Sequence, residues 1–402
     1  MHLSQRQLFF DHLAQTSDFP LALEIERAEG VFLYGPDGQR YFDLISGIAV
    51  SNVGHRHPEI LSAIHDQLDK YMHLMVYGEF VQSPQVKLAE ALVKTLDIPC
   101  QSPSPFGLID SVYFTNSGTE AVEGAMKLAK RFTGRSEFIS CYNAYHGATQ
   151  GALSISGAEF FKRNFRPLLP GIKQIRHGHL PDLEQITCRT AAVIIEVIGG
   201  ESGVRIPPAE YFTALRQRCS DVGALLIFDE IQTGFGRTGT FWAFEHVEVY
   251  PDILLSAKGM GGGMPIGAFM APTQLMAVFK NNPILGHITT FGGHPVCCAA
   301  SLATLQIIQS ANLAEEANSK GNLIKSLLIH PKIKEVRGQG LMLAAEMESF
   351  EVLKPVIDCC ILAGVITDWF LFCDNSMRIA PPLTISEKEI QDAIGIIMGE
   401  LG

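Results

Sequence analysis

Four short stretches of the chain carry residue types that could do chemistry. Lys258 follows an apolar run and opens a glycine-rich segment, Ser256-Ala257-Lys258-Gly259-Met260-Gly261-Gly262-Gly263. A lysine so placed can lose its charge on burial and become a nucleophilic amine. The competing reading is a lysine of a surface loop. Asp229 closes the apolar run Leu225–Phe228 and leads into Glu230-Ile231-Gln232-Thr233-Gly234. An acid at the end of a buried strand is partly desolvated and needs a cationic or metal partner. Asn116-Ser117-Gly118-Thr119-Glu120 runs from a strand end into a helix, where free amides and the helix dipole favour an anion. Simple capping by Ser or Thr explains the same residues, and the stretch is neither a Walker A loop nor a G-x-G-x-x-G fingerprint. Tyr145-His146-Gly147 sets an aromatic and an imidazole before a glycine turn, which by itself reads as a core aromatic at a loop entrance.

These residues need a scaffold that gathers them. Ser111–Thr115, Ala191–Glu196, Ala224–Asp229 and Asp252–Ser256 are short apolar runs that predict buried strands. Helix-period stretches separate them, at Ala121–Phe132 and Glu210–Val222, with a further one at Val296–Ser310. The alternation predicts an α/β domain around a mostly parallel sheet. Ligands of such sheets bind beyond the carboxyl ends of the strands. That directs attention to Asn116–Glu120, Glu196–Gly203, Asp229–Gly236 and Ala257–Gly263. Leu23–Asp43 alternates like a small sheet with a turn at Gly35-Pro36-Asp37-Gly38. From residue 296 helical patterns dominate, with strand-like pieces at Glu335–Glu346 and Met377–Ile379. The expected division is an N-terminal arm (1–45) joining a smaller C-terminal α+β domain (296–402), with a large α/β domain (46–295) between them.

The 402 residues, 47% hydrophobic and 18% charged, are globular in composition rather than disordered. A net charge of −11 argues against nucleic acid and gives no reason for binding to anionic lipid. No stretch of about 18 apolar residues suggests a membrane span, and MHLSQRQLFFDHLAQ lacks the h-region and cleavage site of a secretion signal. Nine cysteines, none in a C-x-x-C pair, point to reduced thiols and a cytoplasmic location. His55, His57, His177 and His179 offer H-x-H spacings without a supporting ligand cluster, so they read as structural and no metal is expected. The absence of a G-x-S-x-G elbow disfavours a serine hydrolase.

In this order the motifs resemble the class III aminotransferases of the acetylornithine/ornithine type, which are pyridoxal-phosphate enzymes of fold type I. The resemblance runs from about Pro20 to the C-terminus. It rests on LISGIAVSNVGHRHP at Leu44–Pro58, TNSGTEAVEGAMKLAKR at Thr115–Arg131, LLIFDEIQTGFGRTG at Leu225–Gly239, LLSAKGMGGGMPIGA at Leu254–Ala268, TTFGGHP at Thr289–Pro295 and MRIAPPLTIS at Met377–Ser386. By resemblance, Lys258 holds the cofactor covalently and acts as the catalytic base, and Asp229 pairs with its pyridine nitrogen. Gln232 lies near its phenolic oxygen. Tyr145 stacks on the ring, with His146 beside it, and Ser117, Gly118 and Thr119 hold the phosphate. Thr290 reaches the phosphate of a neighbouring subunit, because the family builds its sites across a homodimer interface. Arg378 is the carboxylate fork, Glu201 its glutamate cover, and Ile48 lines the donor pocket.

The chain departs from the family pattern at its substrate end. Ala148 stands where an arginine usually follows the H-G pair. Glu196-Val197-Ile198-Gly199-Gly200-Glu201 lacks the Pro and Gln of E-P-x-Q-G-E, His287-Ile288-Thr289-Thr290 replaces H-G-T-T, and no tyrosine stands near Asp18–Phe19. The resemblance implies an aminotransferase moving an amino group from an acetylornithine- or ornithine-type donor to 2-oxoglutarate by a ping-pong sequence. The alternatives are an ω-amino acid or amine–pyruvate transaminase, an aminomutase, or a non-catalytic binding relative.

Overall fold

A computed structural model describes residues 4–402; the first three residues, which belong to the expected arm and to the segment read for a signal, lie outside the described residues. A seven-stranded sheet runs in the order Ser111–Thr115, Gly267–Ala271, Ile253–Ser256, Leu225–Asp229, Thr190–Ile195, Glu137–Cys141, Ile172–Ile175. The four strands expected from apolar runs are all in it, each within one residue of its expected bounds. Thr190–Ile195, Leu225–Asp229 and Ile253–Ser256 are buried at every position. A strand covered on both faces has no reason to alternate, which is why these read as unbroken apolar runs. Every pairing among the last five strands of the order is parallel, whereas Gly267–Ala271 is antiparallel to both its neighbours.

The helix Gly118–Thr133 shows how one element is delivered to the site. Ser117 caps it by accepting the Glu120 amide, and Gly134 ends it in the left-handed region at φ 69°. Glu120 in its first turn and Lys130 and Arg131 in its last complement the dipole. Its apolar face, including Val122, Ala125, Met126 and Ala129, packs on the sheet. At Gly124 a Cβ would fall 2.3 Å from the Phe269 ring, so only glycine lets the helix lie this close. The other expected helices form as Ala209–Val222 and Pro295–Ser310; the latter packs on Pro58–Leu68 and Ser83–Lys94.

The two ends of the chain meet. Arg27–Glu29, Phe32–Tyr34 and Arg40–Asp43 form a sheet whose fourth strand is Val365–Ile366, in parallel register with Arg40–Asp43. A second four-stranded sheet runs Glu335–Gln339, Met342–Glu346, Cys373–Ile379, Trp369–Phe370. No single helix among the described residues is long and apolar enough to cross a membrane.

Candidate active site

The loops that follow the sheet strands at their carboxyl ends surround a cavity of ≈ 360 Å³. Lys258 lines it, directly after Ile253–Ser256, with its backbone at φ 46°. A left-handed conformation costs a non-glycine residue about 1–2 kcal/mol. Burial pushes the Lys258 pKa down, with Glu201 and Asp229 opposing the shift. The amine is therefore easier to free of its proton than an exposed lysine.

Asp229 is 4% exposed and ends its strand facing the same cavity. One carboxylate oxygen lies 2.7 Å from His146 Nδ1 and the other accepts the Ile231 amide at 3.0 Å. His146 is itself buried, and its Nε2 has no partner among the described residues. Burial lowers the His146 pKa, but the hydrogen bond and charge of Asp229 more than offset it, and the net shift is upward. The imidazole thus fixes the carboxylate's rotamer and leaves lone pairs open to the cavity. Gly147 at φ 132° makes this loop possible, since a Cβ there would fall 2.3 Å from Thr119 Oγ1.

Ser117, Gly118 and Thr119 also line the cavity. The first-turn amides of Gly118 and Thr119 have no acceptor one turn back and sit at the positive end of a 16-residue helix. Tyr145 is half-exposed at the rim. Gln232 is packed against the Gly199-Gly200 turn, where a Cβ on Gly200 would fall 1.9 Å from its Oε1.

Nine residues expected at the site line this one cavity: Ser117, Gly118, Thr119, Tyr145, His146, Glu201, Asp229, Gln232 and Lys258. Arg378 is joined to it through Glu201, whose Oε1 and Oε2 accept Nη1 and Nη2 at 2.9 and 3.0 Å. Arg378 opposes the burial that would raise the Glu201 pKa, and the net shift is downward. Ile48 lies outside the lining, though its near neighbour Val50 is part of it. It sits on a run of left-handed residues, Ser46 to Ala49, with φ between 46° and 67°. Asp43 Oδ1 holds that turn by accepting the Ile45 and Ser46 amides, and Ser46 Oγ donates to the Ala380 carbonyl at 2.6 Å. Thr290 is exposed and outside the lining, although Thr289 beside it accepts from Asn116 at 3.2 Å.

Glu196 is an ionisable lining residue outside the expected set. Glu196 is 7% exposed, accepts the Gly200 amide at 3.2 Å, and has its pKa pushed up to about 8 by burial. Its signal is the one that marked Asp229: an acid directly after a fully buried strand. Two of the four H-x-H histidines pair with a nearby acid, whereas His57 Nδ1 and His177 Nε2 are buried without a hydrogen-bond partner among the described residues. His55 pairs with Asp43 at 2.8 Å and His179 with Asp182 at 3.0 Å, while His177 sits edge-on to Tyr211 and Phe212.

The cavity fits a flat pyridine ring that carries one phosphate. It offers an amine of lowered pKa, a carboxylate locked by an imidazole, and an unsatisfied helix start in one lining. No arginine lines it, and Ala148 contributes only a methyl group.

The aminotransferase class-III family profile matches residues 13–401. The acetylornithine aminotransferase of Methanopyrus kandleri is 39% identical over 388 residues, covering 95% of each chain. The solved acetylornithine aminotransferase of Elizabethkingia anophelis superposes with a TM-score of 0.83 at 30% identity, covering 98% of this chain and 97% of that one. The ornithine aminotransferase of Toxoplasma gondii, solved with pyridoxal phosphate at partial occupancy, gives a TM-score of 0.89 at 29% identity, covering 98% and 92%. This chain belongs to the class III aminotransferases, a pyridoxal-phosphate-dependent family of fold type I. It is a transaminase.

Proposed function

We propose that the enzyme transfers an amino group from an acetylornithine- or ornithine-type donor to 2-oxoglutarate in two half-reactions, with pyridoxal phosphate held at this cavity. The observation that carries the reading is the meeting of Lys258 with the His146-locked Asp229 at adjacent strand ends.

When bound, the cofactor supplies an electron sink that makes the hydrogen on the donor's amine-bearing carbon acidic. The protein supplies the rest. Asp229 keeps a proton on the ring nitrogen, and His146 keeps Asp229 in place. The amides of Gly118 and Thr119, with Ser117, hold the phosphate. Gln232 serves the phenolic oxygen and Tyr145 covers one ring face. Lys258 Nζ would hold the cofactor and, once the donor's amine has taken its place there, would be a free amine able to accept and give back the donor's proton. Arg378 forks the substrate carboxylate when Glu201 swings away, and Ile48 with Val50 borders the donor path. A homodimer would let Thr290 reach the neighbouring subunit's phosphate. Ile288 and Phe291, both about half exposed beside it, support such an interface. The division into 1–45, 46–295 and 296–402 is supported by Val365–Ile366 completing the N-terminal sheet. The nine free thiols support a cytoplasmic setting.

Ala148 favours a second reading, an ω-amino acid or amine transaminase, because no second cation lines the cavity for a donor carboxylate. A donor screen on the pyridoxal-phosphate form, followed by absorbance, separates the two. Acetylornithine or ornithine bleaching the cofactor faster than simple ω-amines supports the first. The reverse order supports the second, and no bleaching by any donor contradicts both.

A further inference from the structure

Arg378 is held by more than its glutamate. Its Nε donates to Asp368 Oδ1 at 2.8 Å, an edge of the guanidinium that Glu201 does not touch. Nη2 also reaches the Trp369 carbonyl at 3.3 Å, and the Phe370 ring lies 4.4 Å from Cζ. The whole group is 2% exposed.

The two acids are mounted differently. Asp368 stands at the mouth of a hairpin, where its own carbonyl accepts the Arg378 amide at 2.9 Å and Thr367 Oγ1 donates to the Arg378 carbonyl at 2.6 Å. Trp369–Phe370 then pairs with Cys373–Ile379, the strand that carries Arg378. Asp368 therefore moves with the arginine. Glu201 arrives from another sheet on a glycine-rich loop, Gly199-Gly200-Glu201-Ser202-Gly203; its carbonyl accepts the Phe372 amide at 3.1 Å, and beyond Arg378 its carboxylate accepts only the Leu371 amide. Glu201, unlike Asp368, also lines the cavity.

We infer that Asp368 is the fixed anchor of the carboxylate fork, holding Arg378 at Nε so that Nη1 and Nη2 can pass from Glu201 to a substrate carboxylate without the guanidinium moving. A buried guanidinium stripped of every carboxylate is strongly unfavourable. With Asp368 in place, displacement of Glu201 leaves a paired cation, and the incoming carboxylate finds its two donors already aimed. Asp368 is a positioning residue, and the inference rests on the proposed role of Arg378 as the acceptor's fork.

The test uses the pyridoxal-phosphate-loaded enzyme, the fastest donor from the screen, and 2-oxoglutarate as acceptor. Asp368→Ala should raise the 2-oxoglutarate KM by about tenfold or more, a far larger change than in kcat. Asp368→Asn keeps an oxygen for Nε and should bring KM back to within about threefold of wild type. Asp368→Ser repeats the deletion in case the alanine variant does not fold, with the same rise expected. An unchanged KM in the deletion variants, or Asp368→Asn as impaired as they are, overturns the anchor. A wild type that converts no donor refutes the proposed function instead, so the two failures are told apart.

Discussion

At one end of the cavity, Asp229 ends and Lys258 comes just after strands that are buried at every position. At the other end, Glu201 and Arg378 are 177 residues apart in sequence and meet in an ion pair that, in the proposed reading, must open before Arg378 can hold a substrate carboxylate. The first region is set by packing, the second by competition among carboxylates for one guanidinium. Packing suits chemistry common to every substrate, because the reacting groups must stay within a fraction of an ångström. Exchangeable ion pairs suit a site that takes unlike molecules in turn, because a departing partner can be replaced by an equivalent one. Against the family pattern, Ala148 and the Glu196–Glu201 segment are altered, while Lys258, Asp229 and Gln232 are kept.

Substitutions can break or sharpen this contrast. Lys258→Ala should abolish steady-state turnover, a loss of about 10⁴-fold or more, since anchor and base vanish together. Turnover near wild type would remove Lys258 from the chemistry. Asp229→Ala should keep some cofactor yet slow proton removal by about 10²–10³-fold, read from single-turnover absorbance. Glu201→Ala belongs to the exchangeable region, and its effect should be uneven: the half-reaction with the ω-amine donor and that with 2-oxoglutarate should shift relative to each other by about tenfold. Equal or unchanged rates in both halves would mean that Glu201 is no switch. Ala148→Arg restores a cation at the cavity wall and should lower KM for donors with a second carboxylate by about tenfold, leaving carboxylate-free amines behind.

The smallest effect concerns Glu196. Its pKa in the folded chain is about 8 against an ordinary 4.5, so the folded state binds that proton more tightly than the unfolded one. The stability this confers is complete below the unfolded value and is lost as pH rises through about 8. Glu196→Gln cannot ionise. Its melting temperature relative to wild type should therefore climb by a few degrees between about pH 6 and about pH 9. A constant difference across that range would show that Glu196 is not held neutral.

The two residues proposed for the chemistry could be picked out of the sequence because their signal is local. Asp229 and Lys258 each follow an apolar run, and the strands formed where those runs are. Glu196 carries the same mark and was passed over within its segment. Gly267–Ala271 was not among the runs read as strands; it is short, rich in small residues, and follows the glycine loop of Lys258. The antiparallel strand in an otherwise parallel block was therefore not foreseen. His146 and Asp368 could not be given their partners in advance. The first meets Asp229 across 83 residues, and the second depends on a two-residue strand, Trp369–Phe370, to face Arg378. Thr290 and Ile48 lie off the lining of the cavity. For Ile48 the left-handed turn from Ser46 to Ala49 decides the placement, and nothing in an SGIA sequence announces four consecutive positive φ values.

Borohydride reduction of the pyridoxal-phosphate-loaded enzyme, followed by peptide mass mapping, tests the central claim most directly. A phosphopyridoxyl group found on Lys258, in wild type and in Asp229→Ala, is the predicted result. A label on another lysine, or none on a protein that still turns over, would contradict it.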